Sequence, residues 1–323
     1  MSWGAHQFEI YAVHAHLPKK MKGRVSFFGI WLGDFTPDFL SKFWVYGITI
    51  GGTHYGAKVP QRWHRGWPGM GFTHTVFTGL LIGALLWLWK RNRALTVGYM
   101  LGYAAHALTD VNDSVGTMLL FPFSTLNWTV KTWSYAATVQ GGKYLDAAAY
   151  YSSLGLVMDL FWLAVVLWSW RVLTREYWRT QVVPADAHGW AWLGRYMPER
   201  ALLALYRATF FYGLCRMLAW STWSHLVARP VIDGVTHHGY PYDLSWTGPW
   251  WIGARSLPHV PVLLVPVGVA VLLAGVYALA SRLWEPMGEA ERRARARPRG
   301  GAGPQGVTAG AGATADASAT GTG

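Results

Sequence analysis

The chain has 323 residues, 52% hydrophobic and only 14% charged, with 21 tryptophans and a mean hydropathy of +0.17. Soluble domains carry roughly 25% charged residues, so the composition argues against an ordinary soluble globule and predicts an integral membrane protein. The net charge of +12 does not predict direct nucleic-acid binding, because the basic residues cluster at the ends of apolar runs, where they serve as topology signals and meet anionic lipid headgroups.

Residues 3–17 read as a short, mostly apolar helix carrying His6 and His14 and ended by Pro18. Lys19, Lys20, Lys22 and Arg24 follow it, so the basic cluster trails the apolar stretch and no cleavable signal is expected. Residues 25–50 are apolar and aromatic, interrupted by Gly33-Asp34-Phe35-Thr36-Pro37-Asp38. A loop punctuated by Gly and Pro carries His54, His64 and Arg65. Residues 72–89 and 94–109 read as two spans joined by Lys90, Arg91 and Arg93; the second ends near Asp110. After a turn-rich aromatic stretch, residues 147–170 form a third span containing Asp159. Residues 199–228 form a weaker one because Arg207 and Arg216 lie inside it, and residues 260–284 form the cleanest. The Arg-rich and then Gly/Ala/Thr-rich tail from residue 285 is expected to be disordered.

These elements predict an all-α, polytopic membrane bundle of about five or six spans. Residues 1–130 would form a core with the candidate site, 131–284 further spans and loops, and 285–323 a cytoplasmic tail. Basic residues after Trp170 and between Arg292 and Arg299 put those ends inside, so the expected location is the inner or plasma membrane with a cytoplasmic C-terminus. The same rule brings His74, His106 and Asp110 to one side, the outer one. The single cysteine, Cys215, excludes an internal disulfide and a cysteine-rich metal site.

Chemistry concentrates between Gly71 and Ser124. His106 and Asp110 are four apart, one turn along a helix face, where an imidazole and a carboxylate can share a divalent cation. A hydrogen-bonded pair at a helix end would use the same spacing, but ionisable groups in apolar segments are costly and usually functional. His74 stands at the start of the preceding span, and an antiparallel hairpin with a short basic turn would bring it level with His106. Asp38, Asp34 and His6 are further ligand candidates, and His64 is another. His14 and His16 read as interfacial residues. His237, His238 and Asp243 form a rival group whose adjacent histidines suit a solvated loop.

Gly71-Phe72-Thr73-His74-Thr75, Gly102-Tyr103-Ala104-Ala105-His106-Ala107-Leu108-Thr109-Asp110, and Gly116 followed by Leu120-Phe121-Pro122-Phe123-Ser124 stand in that order. The set resembles the bacterial membrane-bound metal-dependent hydrolases, also described as LexA-binding, inner-membrane-associated hydrolases. His6 and the Pro37-Asp38 stretch match further positions of that family, and the resemblance covers residues 1 to about 130. Two features depart from it. His64-Arg65-Gly66 is separated from Phe72 by five residues, and position 40 is Leu40 where a second Asp is usual. A more distant resemblance is to the zinc-dependent phospholipases C.

The family likeness implies a hydrolase with a divalent metal, Zn²⁺ first and Mn²⁺ or Mg²⁺ as alternatives. His74, His106, Asp110 and Asp38 would be ligands, with His6 and Asp34 as further ones. Asp38 would be ligand or general base, and His64 or Arg65 would stabilise an oxyanion. A site at membrane depth would take a lipid or lipid-linked substrate, such as a phosphoester. A LexA-type partner is implied by the resemblance alone. The other readings are a non-enzymatic membrane adaptor with a structural metal site, and an ion-coupled transporter.

Overall fold

The computed structural model describes residues 4–56, 61–113, 115–130, 150–232, 234–240, 250–251 and 255–256. The expected span at 260–284 and the tail lie outside the described residues. Within them the chain is mostly helical: α1 (Ala5–Ala15), α2 (Phe27–Tyr46), α3 (Val76–Lys90), α4 (Arg93–Asp110), α5 (Leu154–Trp168), a short α6 (Arg175–Tyr177), α7 (Ala187–Leu193) and α8 (Glu199–Thr222). Strands are limited to three two-stranded antiparallel hairpins, of which the first pairs Ile48–Ile50 with Thr53–Tyr55.

The helix starts are written locally. Ser26, Thr75 and Asn92 each offer a side-chain oxygen to a backbone N–H of the first turn, capping α2, α3 and α4. The α2 start is reinforced from afar by Asp186, which accepts from the N–H of Phe27 at 2.7 Å and of Phe28 at 3.2 Å. A carboxylate there also suits the positive end of the helix.

α1 is the central element. It packs against α5, α8, α2 and α4, and its residues from Ala5 to Ala12 are all buried. Its polar residues His6, Gln7, Glu9 and His14 are buried along with its apolar ones. On one side Phe8 and Tyr11 enter an aromatic core with Phe27, Tyr206 and Phe210. On the other, His6 and Glu9 face the candidate site.

The closest helix pair is α2 against α4, and glycine permits it. Gly29 and Gly33 on α2 face Gly98 and Gly102 on α4. A Cβ added at Gly33 would lie 2.0 Å from the Tyr99 carbonyl oxygen, and one at Gly102 would lie 2.0 Å from that of Ile30. Both helices thus carry a small-x-x-x-small pair that lets backbones touch. Gly98 meets Ser26, and Gly102 meets Ile30, so the two helices run parallel. Continuing that register past the glycines sets Asp34 and Asp38 beside His106 and Asp110.

The all-α expectation holds, but the described helices do not support five or six spans. Among the described residues one helix is long and apolar enough to cross a membrane: α8 with its π-helical extension, Glu199–Val227, 29 residues. α3 and α5 are apolar but have 15 residues each, about 22 Å against a hydrocarbon core of about 30 Å. The apolar run at 72–89 is shortened because residues Gly71–His74 form a 3-10 turn before the helix begins. The 25–50 run is cut by the cap at Ser26 and by Gly47, whose φ of 65° ends α2. The weakest-looking span in the sequence proves the longest. Its Arg207 donates to the Leu173 carbonyl at 2.7 Å, and its Arg216 lies over the Tyr212 ring.

Candidate metal centre

The α2–α4 contact brings four side chains from three elements together. Asp38 on α2, His74 on the 3-10 turn, and His106 and Asp110 on α4 each offer a ligand atom, all within 4.8 Å of one another. His74 Nε2 lies 3.6 Å from both Asp38 Oδ1 and Asp110 Oδ2. His106 Nε2 lies 3.2 Å from Asp110 Oδ2 and 4.0 Å from Asp38 Oδ1. Ligand atoms about 2 Å from one cation are spaced on this scale.

His6 joins from α1. Its Nε2 is 3.3 Å from Asp110 Oδ1, and its ring stacks on His106 with centroids 4.0 Å apart and planes 11° from parallel. Asp34, one turn before Asp38, forms a second group with His6 and His106, again within 4.8 Å. His64 lies with Nε2 3.2 Å from Asp38 Oδ1 and its ring edge-on to His74. The five residues separating His64-Arg65-Gly66 from Phe72 do not prevent this. They loop out, closed at the base by Met70 N–H donating to the Trp63 carbonyl at 2.7 Å.

Arg65 is fully buried. One guanidinium nitrogen is 3.0 Å from Asp110 Oδ1 and another pairs with Asp113 Oδ2, so it is engaged by two carboxylates. Asp113 Oδ1 in turn accepts from the N–H groups of Val115 and Gly116 at 2.8 Å each.

Most of these groups are shut away from solvent. The side chains of His6, Asp34, His64, His74, His106 and Asp110 are at most 5% exposed, whereas Asp38 is 14% exposed and its partner Lys42 is 30% exposed. The accessible side of the centre therefore lies at Asp38 and Lys42. Despite the burial, His6 Nε2, both oxygens of Asp34, Asp38 Oδ1, His74 Nε2 and both nitrogens of His106 make no hydrogen bond. Buried polar atoms without partners cost about 1–3 kcal/mol each, so a cluster of this kind calls for something that satisfies several of them together. A divalent cation does so for imidazoles and carboxylates. The residues fit one.

Electrostatics agree. Burial opposes protonation of His6, but the surrounding carboxylates of Asp110, Glu9 and Asp34 outweigh it and raise its pKa to about 10. The ring sits where positive charge is favoured. At His64 burial dominates, helped by Arg65 and Lys42 and opposed by Asp38, and lowers the pKa to about 4. His64 is therefore neutral at pH 7, with a lone pair to offer.

Every residue the sequence named for the site, His6, Asp34, Asp38, His64, Arg65, His74, His106 and Asp110, lies in this one cluster. Of the rival group, His237 and His238 join no metal-ligating cluster among the described residues, and Asp243 is outside those residues. Asp159 is buried outside this cluster, and its partners are the Tyr150 and Tyr151 hydroxyls and the Ala5 N–H. Sequence reasoning missed Glu9, Lys42, Asp113 and Thr73. Two of them had a readable signal: Glu9 is three residues after His6 and Lys42 four after Asp38, the spacings at which helical neighbours meet. No family model matches the chain, nor does any curated protein or solved structure.

Proposed function

We propose that this chain is a membrane-embedded, metal-dependent hydrolase whose divalent cation, Zn²⁺ before Mn²⁺ or Mg²⁺, is held by Asp38, His74, His106 and Asp110. The observation that carries the reading is the convergence of these four side chains, with His74 Nε2, His106 Nε2 and Asp38 Oδ1 making no hydrogen bond. The likeness to the membrane-bound metal-dependent hydrolases supports it from the sequence side.

Such an ion, when bound, lowers the pKa of a water molecule and polarises a phosphoryl or acyl group. The protein's own residues divide the rest of the work. Arg65 holds Asp110 from behind. Lys42, on the accessible side and paired with Asp38 Oδ2, is the cation placed to meet an anionic substrate group. His64, neutral and 3.2 Å from Asp38, has the lone pair to accept a proton. Arg65 is taken up by Asp110 and Asp113, so a developing oxyanion is better served by Lys42 than by Arg65.

A lipid or lipid-linked ester is the proposed substrate class. Phe39 and Phe43 follow Asp38 and Lys42 directly on α2 and are 71% and 42% exposed, an apolar surface that suits an acyl chain. Membrane embedding is supported by α8, only 28% of whose apolar window is buried. The outward-facing Leu80, Leu81, Leu85, Leu88 and Trp89 of α3 support it too. We place α3, α4 and α5 in the bilayer beside α8, tilted or partly inserted where they are short, in the inner or plasma membrane.

The test is metal content of the detergent-purified full chain, together with hydrolysis of a short-chain phospholipid and an activated phosphodiester, for the wild type and His106→Ala. Bound ion and hydrolysis, both lost in His106→Ala, are expected. A wild type free of metal, or hydrolysis that survives His106→Ala, overturns the reading. One observation favours a structural site instead, the near-complete enclosure of the centre: stoichiometric metal with no hydrolysis of either substrate would select it.

A further inference from the structure

The centre contains more candidate ligands than one cation uses, and the ring nitrogens sort them. Resting on the function proposed above, we propose that Asp34 is a positioning residue and not a ligand: it faces the Nδ1 edges of His6 and His106 and holds both rings with Nε2 turned toward the cation.

A neutral imidazole has one N–H and one lone pair. His106 Nε2 faces Asp110 Oδ2 at 3.2 Å and Asp38 Oδ1 at 4.0 Å, so a lone pair directed at a shared cation must be on Nε2. The proton then sits on Nδ1, where Asp34 Oδ1 is 3.8 Å away. His6 repeats the arrangement, with Nε2 3.3 Å from Asp110 Oδ1 and Nδ1 3.7 Å from Asp34 Oδ1. The stacking of the two rings, 11° from parallel, is what lets one carboxylate serve both. Asp110 runs along their Nε2 edge and Asp34 along their Nδ1 edge.

The same logic extends outward. Glu9 Oε2 lies 3.2 Å from His6 Nδ1, and Glu9 Oε1 accepts from the Thr109 hydroxyl at 2.9 Å. Thr73 Oγ1 lies 3.0 Å from His74 Nδ1, leaving His74 Nε2 inward. Three rings thus present Nε2 to the centre and have an oxygen on the Nδ1 side, the usual arrangement around metal-bound histidines. At 3.7 and 3.8 Å neither Asp34 contact is a hydrogen bond, so its influence is that of acceptor oxygens set beside the N–H edges. If Asp34, His6 and His106 held a second ion, His106 would have to ligate through both nitrogens and give up its remaining proton. The single-ion arrangement asks for nothing of the kind.

The test uses the full chain in detergent, with Asp34→Ala and Asp34→Asn each checked for folding by size exclusion and thermal melting. Ions per chain are counted, Zn²⁺ affinity is measured by competition with a chelating dye, and the visible spectrum of the Co²⁺-substituted protein reports the ligand set. Unchanged stoichiometry, an unchanged Co²⁺ spectrum and Zn²⁺ affinity weakened about 10–100-fold in Asp34→Ala, with a milder loss in Asp34→Asn, support the proposal. Loss of an ion, or a Co²⁺ spectrum altered as in His106→Ala, makes Asp34 a ligand and overturns it. So does wild-type affinity in a folded Asp34→Ala. If Asp34→Ala does not fold, Asp34→Asn carries the same readouts. A wild type that binds no metal removes the proposed function and this inference together, whereas failure of the Asp34 arm alone leaves that function standing.

Discussion

Two buried acidic sites in this molecule look alike in composition and differ in their hydrogen bonding. Asp159 is fully buried on α5, and its two oxygens receive the Ala5 N–H at 2.9 Å, the Tyr150 hydroxyl at 2.6 Å and the Tyr151 hydroxyl at 3.0 Å. Asp34 is as deeply buried, yet neither of its oxygens makes a hydrogen bond, and the same is true of Asp38 Oδ1, His74 Nε2 and both nitrogens of His106. The first site is complete as it stands and fastens α1 to α5. The second has acceptors and lone pairs pointing at one another, which is stable only with a positive charge among them. Burial alone does not separate a self-contained structural acid from one that belongs to a metal centre. Satisfaction does.

The comparison is broken most forcefully by removing the charge the second site calls for. Chelator treatment should lower the stability of the wild type by about 4 kcal/mol when measured against free ion at a thousandfold excess over its dissociation constant. A thermal melt with and without chelator reads this directly. His106→Ala should show no difference between the two melts. Equal melting of the wild type in both conditions would mean that the unpartnered atoms are not satisfied by metal.

A third buried polar group sharpens the contrast because it is neither ligand nor anion. His14 lies at the other end of α1, a helix of 11 residues, with Nδ1 2.9 Å from the Tyr177 hydroxyl. Burial, assisted by the nearby Lys22 charge, lowers its pKa from 6.5 to about 4. The unfolded chain binds a proton here below pH 6.5 and the folded one only below about 4, so stability falls as pH drops through that window. A shift of this size corresponds to a penalty of about 3 kcal/mol, which builds up as the pH falls from 6.5 to 4 and is absent above pH 6.5. The metal-centre histidines also titrate, so the measurement is the difference in unfolding free energy against pH between wild type and His14→Gln. A pH profile identical in both would show that His14 binds protons in the fold as it does in the unfolded chain.

How much of this was legible in the sequence follows from which interactions are local. His106 and Asp110, or Asp34 and Asp38, lie a helical turn apart, so their sharing of a face could be read directly. The convergence of α2 with α4 was encoded by Gly29, Gly33, Gly98 and Gly102, whose spacing permits contact but does not name a partner. Asp159 was recognisable as a buried acid, but its donors come from residues 5, 150 and 151, and nothing local pairs Ala5 with Asp159. Span lengths were overread for a related reason. Apolar runs continue through caps and turns such as Ser26, Gly47 and Gly71–His74, so hydropathy outlasts the helix. In α8 the reverse happened: Arg207 looked like an interruption until the Leu173 carbonyl supplied its partner.

The smallest effect tests the completed site. In Asp159→Asn the side-chain oxygen can still accept from the Ala5 N–H and the Tyr150 hydroxyl, but the amide NH₂ now faces the Tyr151 hydroxyl, a donor where the carboxylate had an acceptor. The loss is one charge-assisted hydrogen bond, worth about 2 kcal/mol, and no ligand atom. The expected outcome is a lower midpoint in thermal or denaturant unfolding with the number of ions per chain unchanged, and a chelator effect as large as in the wild type. Because Ala5 directly precedes His6, a small weakening of metal affinity through a looser α1 start is compatible with this. Loss of the ion is not. If Asp159→Asn empties the centre as His106→Ala does, the carboxylate on α5 belongs to the metal site after all, and the division between a satisfied and an unsatisfied acid fails.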